Sequence, residues 1–572
     1  MVLSQLKAGV ETRAGALLTG ARGSGKTALA RAAFDELAPG FERAAWITGT
    51  VTDSCVPFGA FEQLFTVPET GRTIQVLRAA RDALGTGLLL VADDGHLLDR
   101  LSASLVYQLA VSGAARVIIT AESNQSLPEG LSALVRDRLV VPVAADGPVH
   151  PVASRDPEPL PPPDGVGVGV GVVGRLRRAV RALDGGDALP VAELAAAADD
   201  ALRLGDLELA ERLGRAALPA GGLAARVTLS YALAWQGRGA DADAVLAEVD
   251  AAALTEPALM MWALPRAANQ FWMLSEPERA TAFLRTVRSR VQTPAAQVTL
   301  DALSATFAMN AGNLNRAMQL ADSVLASADP SDTAVGWAAS AAALSCARTG
   351  RLTEVDGFAE RALAAGQPGL LRFTSGFGQT TALLLAGEPD KAQQLAQELI
   401  DFTQSQQPGR AIGEVLLADV LIARSELDAA IELLQDAAKV LARSGYSWGP
   451  LAWMLLARAL GQRGATAEAG RALARAEARH GLKSMLFAPE LALARAWTNA
   501  ARRDRHGAIA AAREAFRAAE RGGQSAVALR VLHDAALLGD IRAADCFDRV
   551  GVDCAFDRQA RAVAAEVAAD RT

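Results

Sequence analysis

From about residue 200 onward one short pattern recurs at a nearly constant interval: a small residue, then an alanine five positions later that opens an apolar-periodic stretch. The pairs are Gly205/Ala210, Gly237/Ala242, Ser275/Ala280, Gly312/Ala317, Gly350/Val355, Gly387/Ala392, Ser425/Ala430, Gly464/Ala469, Arg503/Ala508 and Gly539/Ala544. Successive steps are 32, 38, 37, 38, 37, 38, 39, 39 and 36 residues. Each step has room for a helix, a turn such as Thr349-Gly350-Arg351-Leu352, and a second helix. The first residue falls where a helix ends and the chain turns, a place suited to left-handed backbone. The alanine lets two helices approach closely. A hairpin of this size cannot bury its apolar stripe alone, so the units must stack on one another. Residues 191–572 are therefore predicted to form an all-α superhelix with a concave face. Seven tryptophans fall in it, at 235, 262, 272, 337, 448, 453 and 497. Most are expected in the core, with Trp262 and Trp272 the candidates for lining a groove.

The first 145 residues follow a different rule. The apolar run Ala16–Thr19 leads into Gly20-Ala21-Arg22-Gly23-Ser24-Gly25-Lys26-Thr27, which fits G-x-x-x-x-G-K-[ST], and a helical stretch follows. Strand, glycine-rich loop and helix together wrap backbone N–H groups around a phosphate, with the positive end of the helix dipole behind them. Candidate nucleotide-binding residues are Gly20, Arg22, Gly23, Ser24, Gly25, Lys26, Thr27 and Ala28. Lys26 would reach the β- and γ-phosphates, and the Thr27 hydroxyl would ligate Mg²⁺. A second apolar run, Gly87–Ala92, ends in Asp93-Asp94. Continuous apolar character marks a buried parallel strand, and ligands in such sheets sit beyond the carboxyl ends of the strands. Asp93 is the second candidate Mg²⁺ ligand. Asp94 would orient or deprotonate an attacking water, or else cap the next helix. His96 would either contact a phosphate or pack at the strand end. Thr120, closing the strand 115–120, is the candidate sensor of a γ-phosphate. Strands are expected at 16–19, 44–48, 87–92 and 115–120, helices at 73–84 and 102–111, and a turn opening a helix over 56–65. Their alternation predicts a parallel αβα sandwich.

Between the two regions, residues 146–190 read as a linker. Residues 147–163 are proline-rich and acidic, and 165–173 alternate glycine and valine. The latter would make a weak strand; no lysine follows that would suit a second phosphate loop. Arg175-Leu176-Arg177-Arg178 opens a short basic helix, expected to face solvent, with docking onto the first domain as the other reading. The net charge of −7 gives no general attraction to nucleic acid or anionic membrane. Four dispersed cysteines lack a CxxC pair, and no apolar signal or membrane-length run is present. These features point to a cytoplasmic protein.

Several segments carry a family resemblance: GARGSGKT at 20–27, VPFGAFEQL at 56–64, LLLVADDGHLLD at 88–99, VIITA at 117–121 and LSALVRDRLVVPV at 131–143. Residues 15–143 resemble the ATPase domain of the large ATP-binding LuxR-type regulators, which belong to the signal-transduction ATPases with numerous domains. The repeats resemble degenerate tetratricopeptide repeats, longer than the usual 34 residues, and match that family's sensor region in kind. The resemblance implies an α/β P-loop NTPase domain over 1–145 and a tetratricopeptide-like domain over 191–572. It implies ATP or ADP with Mg²⁺ as cofactors, nucleotide-dependent self-association, and an inducer or protein partner on the repeats. It also implies transcriptional control, with DNA a partner only of a form carrying a C-terminal reader domain, because no basic recognition helix is visible before Thr572. The family's upstream Gly-Arg-Glu segment and helical lid are not matched, and Glu122 stands where an arginine is common. At most a slow ATPase is expected. The alternative is a protein-interaction repeat scaffold with a degenerate, hydrolysis-poor ATPase domain.

Overall fold

The computed structural model describes residues 2–145, 171–185, 189–366, 370–403, 408–442 and 445–569. The proline-rich segment and most of the Gly/Val alternation, residues 146–170, lie outside the described residues. The chain divides into two compact units, Met1–Ala232 and Leu233–Thr572.

The first unit is built on five parallel strands, β1 (Gly15–Gly20), β2 (Arg43–Thr48), β3 (Leu88–Asp93), β4 (Ala115–Glu122) and β5 (Val140–Ala144), in the order β2-β3-β4-β1-β5. Eight helices of this unit concern us: α1 (Val2–Thr12), α2 (Lys26–Leu37), α3 (Thr73–Leu84), α4 (Arg100–Val111), α5 (Glu129–Arg136), α6 (Val172–Gly185), α7 (Val191–Arg203) and α8 (Leu207–Ala217). The period of two along each strand sorts the apolar residues onto two faces. Ala16, Leu18, Leu89, Val91 and Ile118 pack with Leu6 and Val10 of α1 and Ala30 and Ala33 of α2. Leu17, Leu88, Leu90, Val117 and Ile119 pack with Val76, Leu77 and Ala80 of α3 and Leu101, Leu105 and Leu109 of α4. Both faces are covered, which is why the central strands read as unbroken apolar runs.

Four features depart from the sequence expectation. Helix α1 and strand β5 were not foreseen; β5 carries Pro142, which an edge strand tolerates because one side of its ladder is free. Residues 56–65 form no α-helix but an irregular turn with a short 3₁₀ segment, Gly59–Phe61. The reason is Phe58, held fully buried in left-handed backbone (φ 59°), with its N–H donated to the Asp99 carboxylate (3.2 Å). Helix α6 is not a solvent-facing basic helix. Arg177 bonds Asp53 at 2.8 Å, the Glu62 carboxylate and the Gly59 carbonyl at 3.2 Å. Arg175 bridges Glu69 at 3.0 Å and Asp200 of α7 at 2.8 Å. Val172, Val173, Leu176 and Val180 of α6 join the core that lies beneath α3 and α4.

The second unit is an array of helical hairpins, and the repeat signal appears in its backbone. All ten turn positions named from the sequence, Gly205 of the first unit included, have positive φ, between 60° and 90°. Each is followed by an N–H that reaches back to the carbonyl near the end of the preceding helix, as in Glu426 to Leu421 (2.9 Å), Ala465 to Leu460 (2.9 Å) and Asp504 to Asn499 (3.0 Å). This is the hydrogen-bond pattern that ends a helix on a left-handed residue. At Ser275 the bond spans one residue more, from Glu276 to Gln270 (2.9 Å), because Asn269–Met273 is a π-helical turn. Nine of the ten partner positions are buried, among them Ala242, Ala280, Ala392, Ala430 and Ala469 with no exposed surface. The tenth, Ala544, is exposed, since Gly539 leads into the 3₁₀ segment Ile541–Arg549. Trp262 belongs to the core, its indole N–H donated to the Leu246 carbonyl at 2.8 Å. Trp272 is half-buried among Phe271, Phe307 and Tyr446. No helix among the described residues is long and apolar enough to cross a membrane.

Left-handed backbone costs a residue with a Cβ about 1–2 kcal/mol, and Arg503 occupies it at φ 61°. Arg503→Gly should therefore stabilise the array by about 0.5–1 kcal/mol after the added unfolded-state freedom of glycine is subtracted. Urea unfolding followed by circular dichroism measures it, and a loss of stability would contradict the turn assignment.

Candidate functional site

The loop between β1 and α2 leaves the carboxyl end of an interior strand and turns on Gly23 (φ 79°) and Gly25 (φ 80°). A Cβ on Gly20 would lie 2.5 Å from the Ser24 hydroxyl and 3.0 Å from the Ala145 Cβ, so a larger residue there would displace Ser24 from its place in the loop. Gly25 is the N-cap of α2 and provides no side-chain cap. The first N–H groups of α2 have no intrahelical partner by the geometry of a helix start. The contrast is α4, whose N-cap Asp99 accepts from Leu101 N–H (2.9 Å) and Ser102 N–H (3.0 Å). The start of α2 presents free donors and a positive dipole end to the carboxyl edge of the sheet.

Lys26 is 7% exposed. Its Nζ donates to the Gly20 carbonyl at 3.2 Å and the Ala21 carbonyl at 2.8 Å, and no carboxylate among the described residues pairs with it. A buried ammonium with no carboxylate in direct contact suits a place where an anion arrives. The Ser24 hydroxyl is buried without a partner. Arg22 and Thr27 are exposed, and Ala28 is half-buried in the first turn of α2.

Across the sheet edge, Asp93 ends β3 and is 5% exposed. Its Oδ1 accepts from the Thr27 hydroxyl at 3.2 Å and from the Thr120 hydroxyl at 2.6 Å. Thr120, fully buried in β4, also accepts the Asp94 N–H at 2.9 Å. Its hydroxyl is thus engaged on both sides, aiming Asp93 and holding the backbone of Asp94. Asp94 has left-handed backbone (φ 50°). Burial and then the neighbouring Asp93 charge push its carboxyl above the ordinary range, against smaller opposing effects of His96 and Lys26. His96 has a buried Nδ1 without a partner. The structure therefore brings together Lys26, Thr27, Asp93, Asp94 and Thr120, three of them distant in sequence from the loop.

Asp99 and Arg177 were not read as site-building residues from the sequence. Asp99 sits at the end of the DDGHLLD segment and binds the Phe58 N–H within the PFGAF segment, so one buried carboxylate ties the two motifs together. Its signal was an acid immediately before a helix start. Burial pushes the Asp99 carboxyl up to about 6, although four donors pull the other way. The folded chain then holds a proton there that the unfolded chain, at 3.8, has already lost. This contribution to stability is fully present below pH 3.8 and is lost as pH rises through 6. Carboxyl NMR should show Asp99 titrating near 6; an Asp99 carboxyl titrating at or below the ordinary value would show that its four donors outweigh burial.

The donor set fits a small hard cation held jointly with a phosphate. Thr27 and Asp93 offer a hydroxyl and a carboxylate, and no group of three or more His, Cys, Asp or Glu residues among the described residues forms a complete metal cage. Mg²⁺ is commonly held this way, by one or two protein oxygens plus substrate phosphates and water.

No protein-family model matches the chain, and no curated protein matches it. Solved structures are similar in outline. A signal-transduction ATPase with numerous domains and a tetratricopeptide repeat sensor from Pyrococcus horikoshii is 12% identical, with a TM-score of 0.34, covering 99% of this chain and 94% of that one. A Rap protein complexed with competence and sporulation factor is 14% identical, with a TM-score of 0.43, covering 62% of this chain and 100% of that one. A tetratricopeptide repeat protein from Parabacteroides merdae is 19% identical, with a TM-score of 0.32, covering 46% of this chain and 97% of that one. All three TM-scores lie below 0.5, so none bears on what this chain binds.

Proposed function

We propose that the first unit binds a nucleoside triphosphate with Mg²⁺ and acts as a regulatory switch of the LuxR-type, coupled to the helical-repeat array as sensor. The observation that carries this reading is the convergence of the Thr27 hydroxyl, the Asp93 carboxylate and the buried, unpaired Lys26 ammonium around an uncapped helix start. In this reading the loop N–H groups and Lys26 hold the phosphates. Thr27 and Asp93 hold Mg²⁺, which would neutralise phosphate charge. Thr120 keeps Asp93 aimed. Asp94, with its carboxyl pushed up by burial, takes or orients a proton of water. Nucleotide would bias an equilibrium between closed and self-associating states, with transcription as the output.

A second reading, a protein-interaction scaffold with a hydrolysis-poor nucleotide site, has an observation of its own. Glu122 closes β4 and is register partner of Gly20, and its charge adds to the upward push on Asp94. A carboxylate there repels a γ-phosphate at close range, which favours binding over turnover.

Calorimetric titration of the full chain with ATP–Mg²⁺ is the test. Lys26→Ala should weaken binding about 10- to 100-fold, the worth of a charge-assisted hydrogen bond. If wild type and Lys26→Ala respond alike, the nucleotide reading fails. Binding that is intact with no measurable phosphate release would select the second reading.

A further inference from the structure

A separate groove is present within the repeat array. The helix Trp448–Arg463 lies between Leu427–Leu441 and Thr466–Arg479, and the three form a small solvent-open groove of about 180 Å³. Trp453, Leu456 and Leu460 of the middle helix supply an apolar floor, all three of them buried. Lys439 on one wall and Arg471 and Arg475 on the other supply exposed cations. The chain as a whole is acidic, at −7, so this is a local reversal of charge.

The cations are not consumed by internal pairing. Arg471 and Arg475 make no ion pair among the described residues. Lys439 pairs only with Asp436, one turn away on its own helix, and both side chains are largely exposed. The one acid in the groove, Glu468, is drawn to Arg463 at 3.3 Å. Arg475 is also held in place: its guanidinium lies 4.7 Å from the centre of the Trp453 ring. A guanidinium held over an indole is attracted to the ring face, and one without an ion pair keeps N–H donors that can take a carboxylate or sulfonate. An apolar floor of this kind, with few convergent polar groups, is the usual make-up of a small-molecule site.

We propose that this groove binds a small organic anion with an apolar body: the body lies on Trp453, Leu456 and Leu460, and its carboxylate meets Arg475 and Arg471. The proposal is independent of the nucleotide reading and would survive its failure.

The test is isothermal titration of the full chain with decanoate, with decanol as the uncharged probe of the same length. Decanoate should bind saturably at one site. Decanol should bind about tenfold more weakly, and Arg475→Gln and Arg471→Gln should each cost about tenfold in decanoate affinity. Both substitutions are at exposed positions, and an unchanged unfolding midpoint would separate lost binding from lost fold. Displacement of 1-anilinonaphthalene-8-sulfonate by decanoate gives a second readout at the same site, and Lys26→Ala should leave it unchanged. No saturable binding, equal binding of decanol and decanoate, or equal affinity in wild type and both arginine variants would each overturn the proposal.

Discussion

Replacing Asp419 by alanine should destabilise the repeat unit by about 3–5 kcal/mol, the usual penalty for stranding one member of a buried ion pair. Asp419 is 4% exposed and takes two bonds from Arg530, at 3.0 and 3.2 Å. Burial pushes the carboxyl up, but the Arg530, Arg458 and Arg348 guanidiniums outweigh it and hold the group below its ordinary range. The pair is part of a wider buried network. Arg348 bonds Gln524 (2.7 Å) and Glu490 (2.8 Å), Arg458 pairs with Asp534 (2.9 Å), and the Trp497 indole N–H donates to Asp534 (3.0 Å). These residues come from helices as far apart in the chain as Asp332–Thr349 and Ser525–Leu537. The network thus ties repeats that are not neighbours in sequence. Because the penalty comes from an uncompensated charge, the double change Asp419→Leu with Arg530→Met should recover most of the loss. Urea unfolding of the single and the double variant against wild type decides it. A single substitution costing under about 1 kcal/mol would mean the pair is hydrated in solution.

Asp99→Ala should cost the first unit about 2–4 kcal/mol. One part is the lost cap of α4, about 1 kcal/mol. The other is the buried Phe58 N–H left without an acceptor, at about 1–3 kcal/mol. Asp99→Asn keeps an acceptor oxygen and should lose much less. The effect should reach the candidate nucleotide site, because Asp99 holds the turn 56–65 against the segment that carries Asp93 and Asp94. Chemical unfolding and ATP–Mg²⁺ titration of both variants check the two halves. Equal stability of the alanine and asparagine variants would show that the hydrogen bonds at Asp99 carry little.

Much of the fold was legible because it rests on short-range rules. Apolar runs mark buried parallel strands, and β1 to β4 fall within two residues of expectation. The helix over 73–84 coincides with α3. The turn residues of the repeats report directly on backbone angle, so their spacing marks the hairpins. What was missed depends on distant partners. Strand β5 exists because β1 offers it an edge. The turn 56–65 is not helical because Phe58 is held in left-handed backbone, buried and bonded through its N–H to the distant Asp99. Helix α6 looked like a solvated basic face because its acidic partners, Asp53, Glu62 and Glu69, lie more than a hundred residues away.

The candidate site divides along the same line. The sequence by itself determined the glycine-rich loop, the lysine and threonine after it, and the two acids ending an apolar strand, since loop curvature and strand burial are local properties. Only the tertiary structure decided that the Thr120 hydroxyl is engaged with Asp93 and Asp94 rather than left free, that Asp99 locks one motif to the other, and that Arg475 rests on Trp453 with its donors unspent. Hydrogen-bond partners and charge compensation depend on which side chains the fold brings within about 3 Å, and no linear spacing encodes that.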